Sequence, residues 1–128
     1  FVVTPGFDSD LVEWCLAQSI PVIPGVMTPT DINSAINRKL NVLKFFPAEA
    51  AGGIKTLKAI SGPYGSIKFV PTGGITISNL EEYLSLPNVV ACGGSWLVNK
   101  DQISRGEFDK IESLVREAVQ LIDRIRGK

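Results

Sequence analysis

The chain has 128 residues, of which 45% are apolar, 20% charged and 8% aromatic, the balance of one ordinary globular domain. Thirteen Lys and Arg offset thirteen Asp and Glu, so no net positive field is available to steer nucleic acid or an anionic membrane surface. Histidine is absent, which excludes Ser-His-Asp and Cys-His triads, imidazole bases and the commonest metal ligand. Chemistry therefore falls to Lys, Asp, Glu, Ser, Thr and Tyr. Cys15 and Cys92 lie far apart, in a helix-like and a strand-like segment, and match neither a CxxC metal site nor a disulfide framework. They read as small core thiols in a reducing cytosol. No apolar run approaches the roughly 20 residues of a membrane span, and no basic-then-apolar signal opens the chain. Phe1 stands within an apolar run and the sole methionine is Met27, the look of a chain that has lost its beginning.

In chain order, short apolar runs alternate with longer amphipathic stretches, the strand-helix alternation of a parallel α/β fold. The first run is FVVTPG at 1–6, followed by a helix-like stretch holding Trp14 and Cys15, and then IPVIPG at 20–25. Thr28-Pro29-Thr30-Asp31 starts a helix: a capping hydroxyl, proline at the first helical position and an acid in the first turn. VLKFFPA at 42–48 and IKFVPTGG at 67–74 are the third and fourth runs. Ser78 to Glu81 has the S-x-x-E spacing of a capping box, and VVACGGSW at 89–96 is the fifth run. Residues 99–107 are polar and contain Gly106, a connection with room for one short turn. After Phe108, Ile111, Leu114, Val115, Ala118, Leu121, Ile122 and Ile125 recur at threes and fours, predicting an amphipathic helix that ends near Gly127.

Four of the five runs end in a proline that cannot extend a ladder, so strand and turn meet at the same relative place each time. Near-continuous apolar strands, buried on both faces, leave two architectures: a (β/α)8 barrel or an open doubly wound sheet. The GxGxxG fingerprint is absent. Glycine pairs instead follow the last two strands, where barrel enzymes place a phosphate site, which favours the barrel although five units do not close one.

Lys44 is the sharpest chemical candidate. Burial among Phe45 and Phe46 disfavours an ammonium, so its pKa should fall and its amine become nucleophilic toward a carbonyl, against the alternative of a lysine snorkelling from a strand end. Lys68 competes: it sits three residues before Pro71 as Lys44 sits three before Pro47, and strand parity does not choose between them. Thr72-Gly73-Gly74 and Gly93-Gly94-Ser95 form the second feature. Glycine lets backbone N–H groups converge on an anion and the hydroxyls of Thr72 and Ser95 add donors, although ordinary tight turns use the same residues. Glu49 is the nearest acid to Lys44 in sequence; an acid in the first turn of a helix serves the helix dipole more simply than catalysis. Period two puts Phe46 beside the proposed site as a wall for a keto acid and Phe45 in the core. Trp14 and Trp96 read as packing residues.

With KFFPAEAAGG, PTGGI and CGGSWLV in place, the chain resembles the family of 2-keto-3-deoxy-6-phosphogluconate (KDPG) and 4-hydroxy-2-oxoglutarate (KHG) aldolases along its whole length. The resemblance implies a metal-free class I aldolase without cofactor on a (β/α)8 TIM barrel. This chain would cover about strands 4 to 8 with their helices, a single partial barrel domain over 1–128 without the first three βα units. It implies a cytoplasmic homotrimer whose substrate is a small phosphorylated keto acid, cleaved to pyruvate and D-glyceraldehyde 3-phosphate in the Entner-Doudoroff pathway, with neither nucleic acid nor membrane as partner. The family's Schiff-base lysine maps onto Lys44 rather than Lys68. Its phosphate site maps onto Gly73, Gly74, Gly94 and Ser95, with Thr72 near the bound keto acid and Phe46 flanking it. The family's general acid/base glutamate and carboxylate-binding arginine belong to an early strand, so nothing here takes those roles and the chain alone is expected to be impaired or inactive. Two other readings stay open: a KHG or phosphogalactonate aldolase, and a non-catalytic half-barrel or phosphate-binding module.

Overall fold

The computed structural model describes residues 1–127. Strand-like segments lie side by side in chain order and all pair in parallel. β1 (Val2–Val3) pairs with β2 (Val22–Ile23), Val2 opposite Val22. Buried Pro24 has no N–H to donate and interrupts the ladder, which resumes as β3 (Gly25–Val26). β3 pairs with β4 (Val42–Phe45), setting Gly25 opposite Lys44, and β4 pairs with β5 (Lys68–Pro71), setting Lys44 opposite Val70. The architecture is therefore α/β with parallel pairing, as the alternation of runs predicts.

The fifth run departs from its prediction, since residues 89–96 form no regular strand. They meet the sheet only at two bridges, Phe69 with Val89 and Thr72 with Gly93. Pro71 offers no N–H for a rung between them. Three steps separate Phe69 from Thr72 but four separate Val89 from Gly93, so the later segment carries one extra residue, as in a bulge. Cys92 consequently lies in this irregular segment rather than in a strand.

The helices follow their signals with one shift. α1 is Ser9–Ala17, and α2 (Pro29–Asn37) has Thr28 as N-cap in a reciprocal box with Asp31. After β4 the chain turns through residues 46–52 before α3 (Gly53–Ser61). Glu49 thus lies in that turn and not in the first turn of a helix. α4 (Ile77–Leu84) begins ahead of the predicted Ser78 box: Thr76 caps it, reciprocally with Asn79. Asn does at the third position what Glu does in the S-x-x-E pattern, returning a side-chain oxygen to the cap N–H at 2.8 Å. α5 (Lys100–Ser104) is the short turn of the polar connection, and α6 (Phe108–Arg126) ends at Gly127 with a positive φ.

Alternation sorts β4 and β5. Leu43, Phe45, Phe69 and Pro71 are fully buried against the helices with Leu57 and Tyr83, while Val42, Lys44, Lys68 and Val70 share the opposite face and are half-buried. The expectation of strands buried equally on both faces fails here, because among the described residues helices cover only one face of these strands. The packing prediction also fails for Trp14, which is 55% exposed on α1, whereas Trp96 packs against the core.

Candidate active site

The face opposite the helices collects the chemistry. Lys44 leaves the middle strand of the β3–β4–β5 sheet with its Nζ 4.6 Å from the centre of the Phe46 ring. Residues two apart on a strand share a face, so Lys44 and Phe46 lie together, and a ring face attracts an ammonium. Phe45, one residue between, is fully buried on the opposite face, so the burial of Lys44 among both rings expected from sequence is not found: Lys44 is half-buried and meets Phe46 alone of the two. The register carries the same face across to Val70 and then Thr72, whose N–H donates to the Phe45 carbonyl at 3.0 Å.

Thr72 holds an unusual polar atom: its Oγ1 is buried with no hydrogen-bond partner. Such a hydroxyl costs stability unless something completes it. At the strand end beside Lys44 and Phe46, it is placed to serve a ligand oxygen. A cavity of about 270 Å³ adjoins Phe46 and is lined in part by Gly6, Gly25, Met27, Asp31 and Pro47.

Lys68 occupies the same face as Lys44 but stands opposite Val42, one pleat toward the strand beginnings. Its Nζ donates to the Pro87 carbonyl at 3.3 Å, at the far end of the sheet. Parity left these two lysines equivalent; register separates them.

The two glycine loops are neighbours. The bridge between Thr72 and Gly93, and the Gly93 N–H to Pro71 carbonyl bond of 3.0 Å, hold Thr72-Gly73-Gly74 against Gly93-Gly94-Ser95. Gly73 and Gly74 have φ of 94° and 81°, a region that favours glycine. Gly94 is required for space, since a Cβ there would meet Trp96 Cζ3 at 1.6 Å. Ser95 is exposed and opens a short 3₁₀ turn, Ser95–Leu97. α4 follows the first loop, and its Asn79 donates to the Gly74 carbonyl at 3.1 Å.

Glu49 enters as a contact that sequence reasoning missed. Its carboxylate accepts a hydrogen bond from the hydroxyl of Tyr83, a fully buried residue of α4. Burial, the Glu49 bond and the Glu49 charge together push the Tyr83 phenol well above its ordinary range. The one signal for this pair was a polar-tipped aromatic on the buried stripe of a helix.

The KDPG and KHG aldolase family model matches residues 1–114. The 2-dehydro-3-deoxy-phosphogluconate aldolase of Haemophilus influenzae is 47% identical over 122 residues, 95% of this chain and 58% of that protein. The KHG/KDPG aldolase of Escherichia coli is 43% identical over 120 residues, 94% of this chain and 56% of that protein. Among solved structures, KDPG aldolase of Legionella pneumophila, with pyruvate captured as a covalent carbinolamine intermediate, superposes with a TM-score of 0.84 at 45% identity. That match covers 88% of this chain and 54% of the other. The chain spans little more than half the length of the relatives it matches. Matched along nearly all of its own length by sequence and by structure, the chain belongs to the KDPG and KHG aldolase family.

Proposed function

We propose that this chain carries the imine-forming part of a class I aldolase, with Lys44 as the Schiff-base lysine. Its residues 1–128 are one partial barrel domain, contributing about strands 4 to 8 and their helices to a (β/α)8 TIM barrel. The whole protein cleaves 2-dehydro-3-deoxy-6-phosphogluconate to pyruvate and D-glyceraldehyde 3-phosphate. It works as a cytoplasmic homotrimer, and no cofactor enters the reaction.

The observation that carries this reading is the shared strand face of Lys44, Phe46 and Thr72, with the Lys44 Nζ beside the Phe46 ring and the Thr72 hydroxyl buried without a partner. The neutral Lys44 amine attacks the C2 carbonyl, and loss of water gives a protonated imine. The C3–C4 bond then breaks, its electron pair entering the iminium to form an enamine while the aldehyde leaves. Protonation at C3 and hydrolysis release pyruvate and restore the amine. Phe46 walls the keto acid and Thr72 meets one of its oxygens. Gly73, Gly74, Gly94 and Ser95 take the phosphate, supported by their adjacency across the Thr72–Gly93 bridge. No described side chain is given the acid/base role. Free Cys15 and Cys92 suit a reducing compartment, and exposed Phe1, Trp14 and Phe108 are surface that an assembly would cover.

Incubation with pyruvate, borohydride reduction and peptide mapping test the assignment. The adduct is expected on Lys44, absent from Lys44→Ala and retained in Lys68→Ala. An adduct on Lys68 with Lys44 free would overturn it.

A further inference from the structure

We infer that Glu49 and Tyr83 form a latch that positions the Gly73–Gly74 loop for phosphate, an inference that rests on the phosphate site proposed above. Glu49 touches the loop in two ways and α4 in a third. Its N–H donates to the Gly73 carbonyl at 3.0 Å, next to a parallel bond of 2.8 Å from Ala48 N–H to the Thr72 carbonyl. Its side chain lies so close to Gly74 that a Cβ there would meet Glu49 Cγ at 2.6 Å. Its carboxylate then accepts from Tyr83, which is anchored in the core on α4, the helix that follows the loop. Lys44 lies five residues upstream on the strand that enters this turn.

The latch therefore joins the exit of the lysine strand to the glycine loop and to α4. Gly73 and Gly74 take positive φ, which glycine adopts freely, so the one conformation the loop keeps is set by its neighbours. Glu49 supplies that support by its contacts with Gly73 and Gly74. It is a positioning residue: it acts on phosphate through the loop and takes no part in imine chemistry. In Glu49→Ala the buried Tyr83 hydroxyl loses its partner and the loop loses the Cγ that lies beside Gly74.

The test compares the 128-residue chain with Glu49→Ala, Tyr83→Phe, the double variant and Glu49→Gln, using inorganic phosphate affinity by calorimetric titration and the rate of pyruvate trapping on Lys44. For two residues acting through one contact, phosphate affinity falls about tenfold in either single variant and no further in the double. Glu49→Gln, which keeps an acceptor oxygen, restores most of it. Trapping changes far less than phosphate affinity. Unchanged phosphate affinity in folded Glu49→Ala and Tyr83→Phe would overturn the latch, as would additive losses in the double variant or failure of the parent chain to bind phosphate. Failure of Lys44 trapping in the parent, with the phosphate pattern intact, would instead remove the aldolase reading and leave the latch standing.

Discussion

At Cys92 the surroundings decide the chemistry of a single atom. Burial pushes its thiol up to about 12 from an ordinary 9.0, with Arg126 opposing the rise. Tyr83 shifts the same way for the same first cause. In the unfolded chain both groups give up protons near their ordinary values, while the native chain still holds them. Stability from these groups is therefore present below about pH 9 and falls as pH rises toward 12. Denaturant midpoints should decline across that interval, and Cys92→Ala should flatten part of the decline. A thiolate is the reactive form, so Cys92 should label slowly at pH 8 in the native chain and rapidly once unfolded. Gly94→Ala drives a methyl into the Trp96 ring, since its Cβ would lie 1.6 Å from Cζ3. Overpacking of this kind should cost about 1–3 kcal/mol in denaturant titrations, with a change in tryptophan fluorescence. The proposal of Lys44 drew on its neighbouring aromatics, of which the structure sets only Phe46 beside it, and its separation from Lys68 was not legible. Both lysines obey the same parity, and only the partner across the ladder, Val70 or Val42, tells which end of the sheet each occupies.

Secondary structure was most legible where local chemistry alone specifies it. Thr28, Pro29 and Asp31 form the cap they spell, with Asp31 accepting from the Met27 N–H at 3.0 Å and the Thr28 N–H at 2.9 Å. Partial burial raises the Asp31 pKa, but these bonds and the Thr28 hydroxyl outweigh it and hold the carboxyl below its ordinary 3.8. A depressed carboxylate stabilises the fold above its unfolded value and loses that contribution as pH falls through the folded one. The α2 contribution should thus be intact at neutral pH and fade below about pH 4, a fade that Asp31→Asn removes from the acid limb of the stability profile. The fifth run was illegible for the opposite reason. Its Val89-Val90 start has strand composition, but ladder formation depends on Pro71 in a different segment. On β4 the alternation has an energetic consequence: Leu43→Ala, at a fully buried position, should cost about 2–5 kcal/mol by equilibrium denaturation, and Val42→Ala on the half-buried face less.

Over the whole molecule, the parallel segments are ordered as they occur in sequence, so the ends of β1, β3, β4 and β5 deliver their loops to one rim. That placement brings Lys44, Thr72 and both glycine loops together although they are spread across half the sequence, and the motifs alone carried no such distances. The proposed imine lysine lies on the β3–β4–β5 sheet and the proposed phosphate loops at its end, whereas the acid/base glutamate implied by the family resemblance has no assigned counterpart among these residues. Imine formation and carbon-carbon cleavage should therefore separate experimentally. Pyruvate should be trapped on Lys44 by the 128-residue chain, because the proposed site places every group assigned to imine formation, Lys44, Phe46 and Thr72, within it. Turnover of the phosphorylated keto acid also needs a group that moves protons at C3 and at the departing aldehyde oxygen, and it should be undetectable by release of pyruvate in a coupled assay. The chain spans 58% of the Haemophilus relative, and the unmatched part of such a relative, added as a separate polypeptide, should pair with the sheet and raise pyruvate release in proportion to complex formed. Turnover by the chain alone at a rate that this addition leaves unchanged would mean that an acid/base group resides within residues 1–127, and Glu49 would then be the first side chain to substitute.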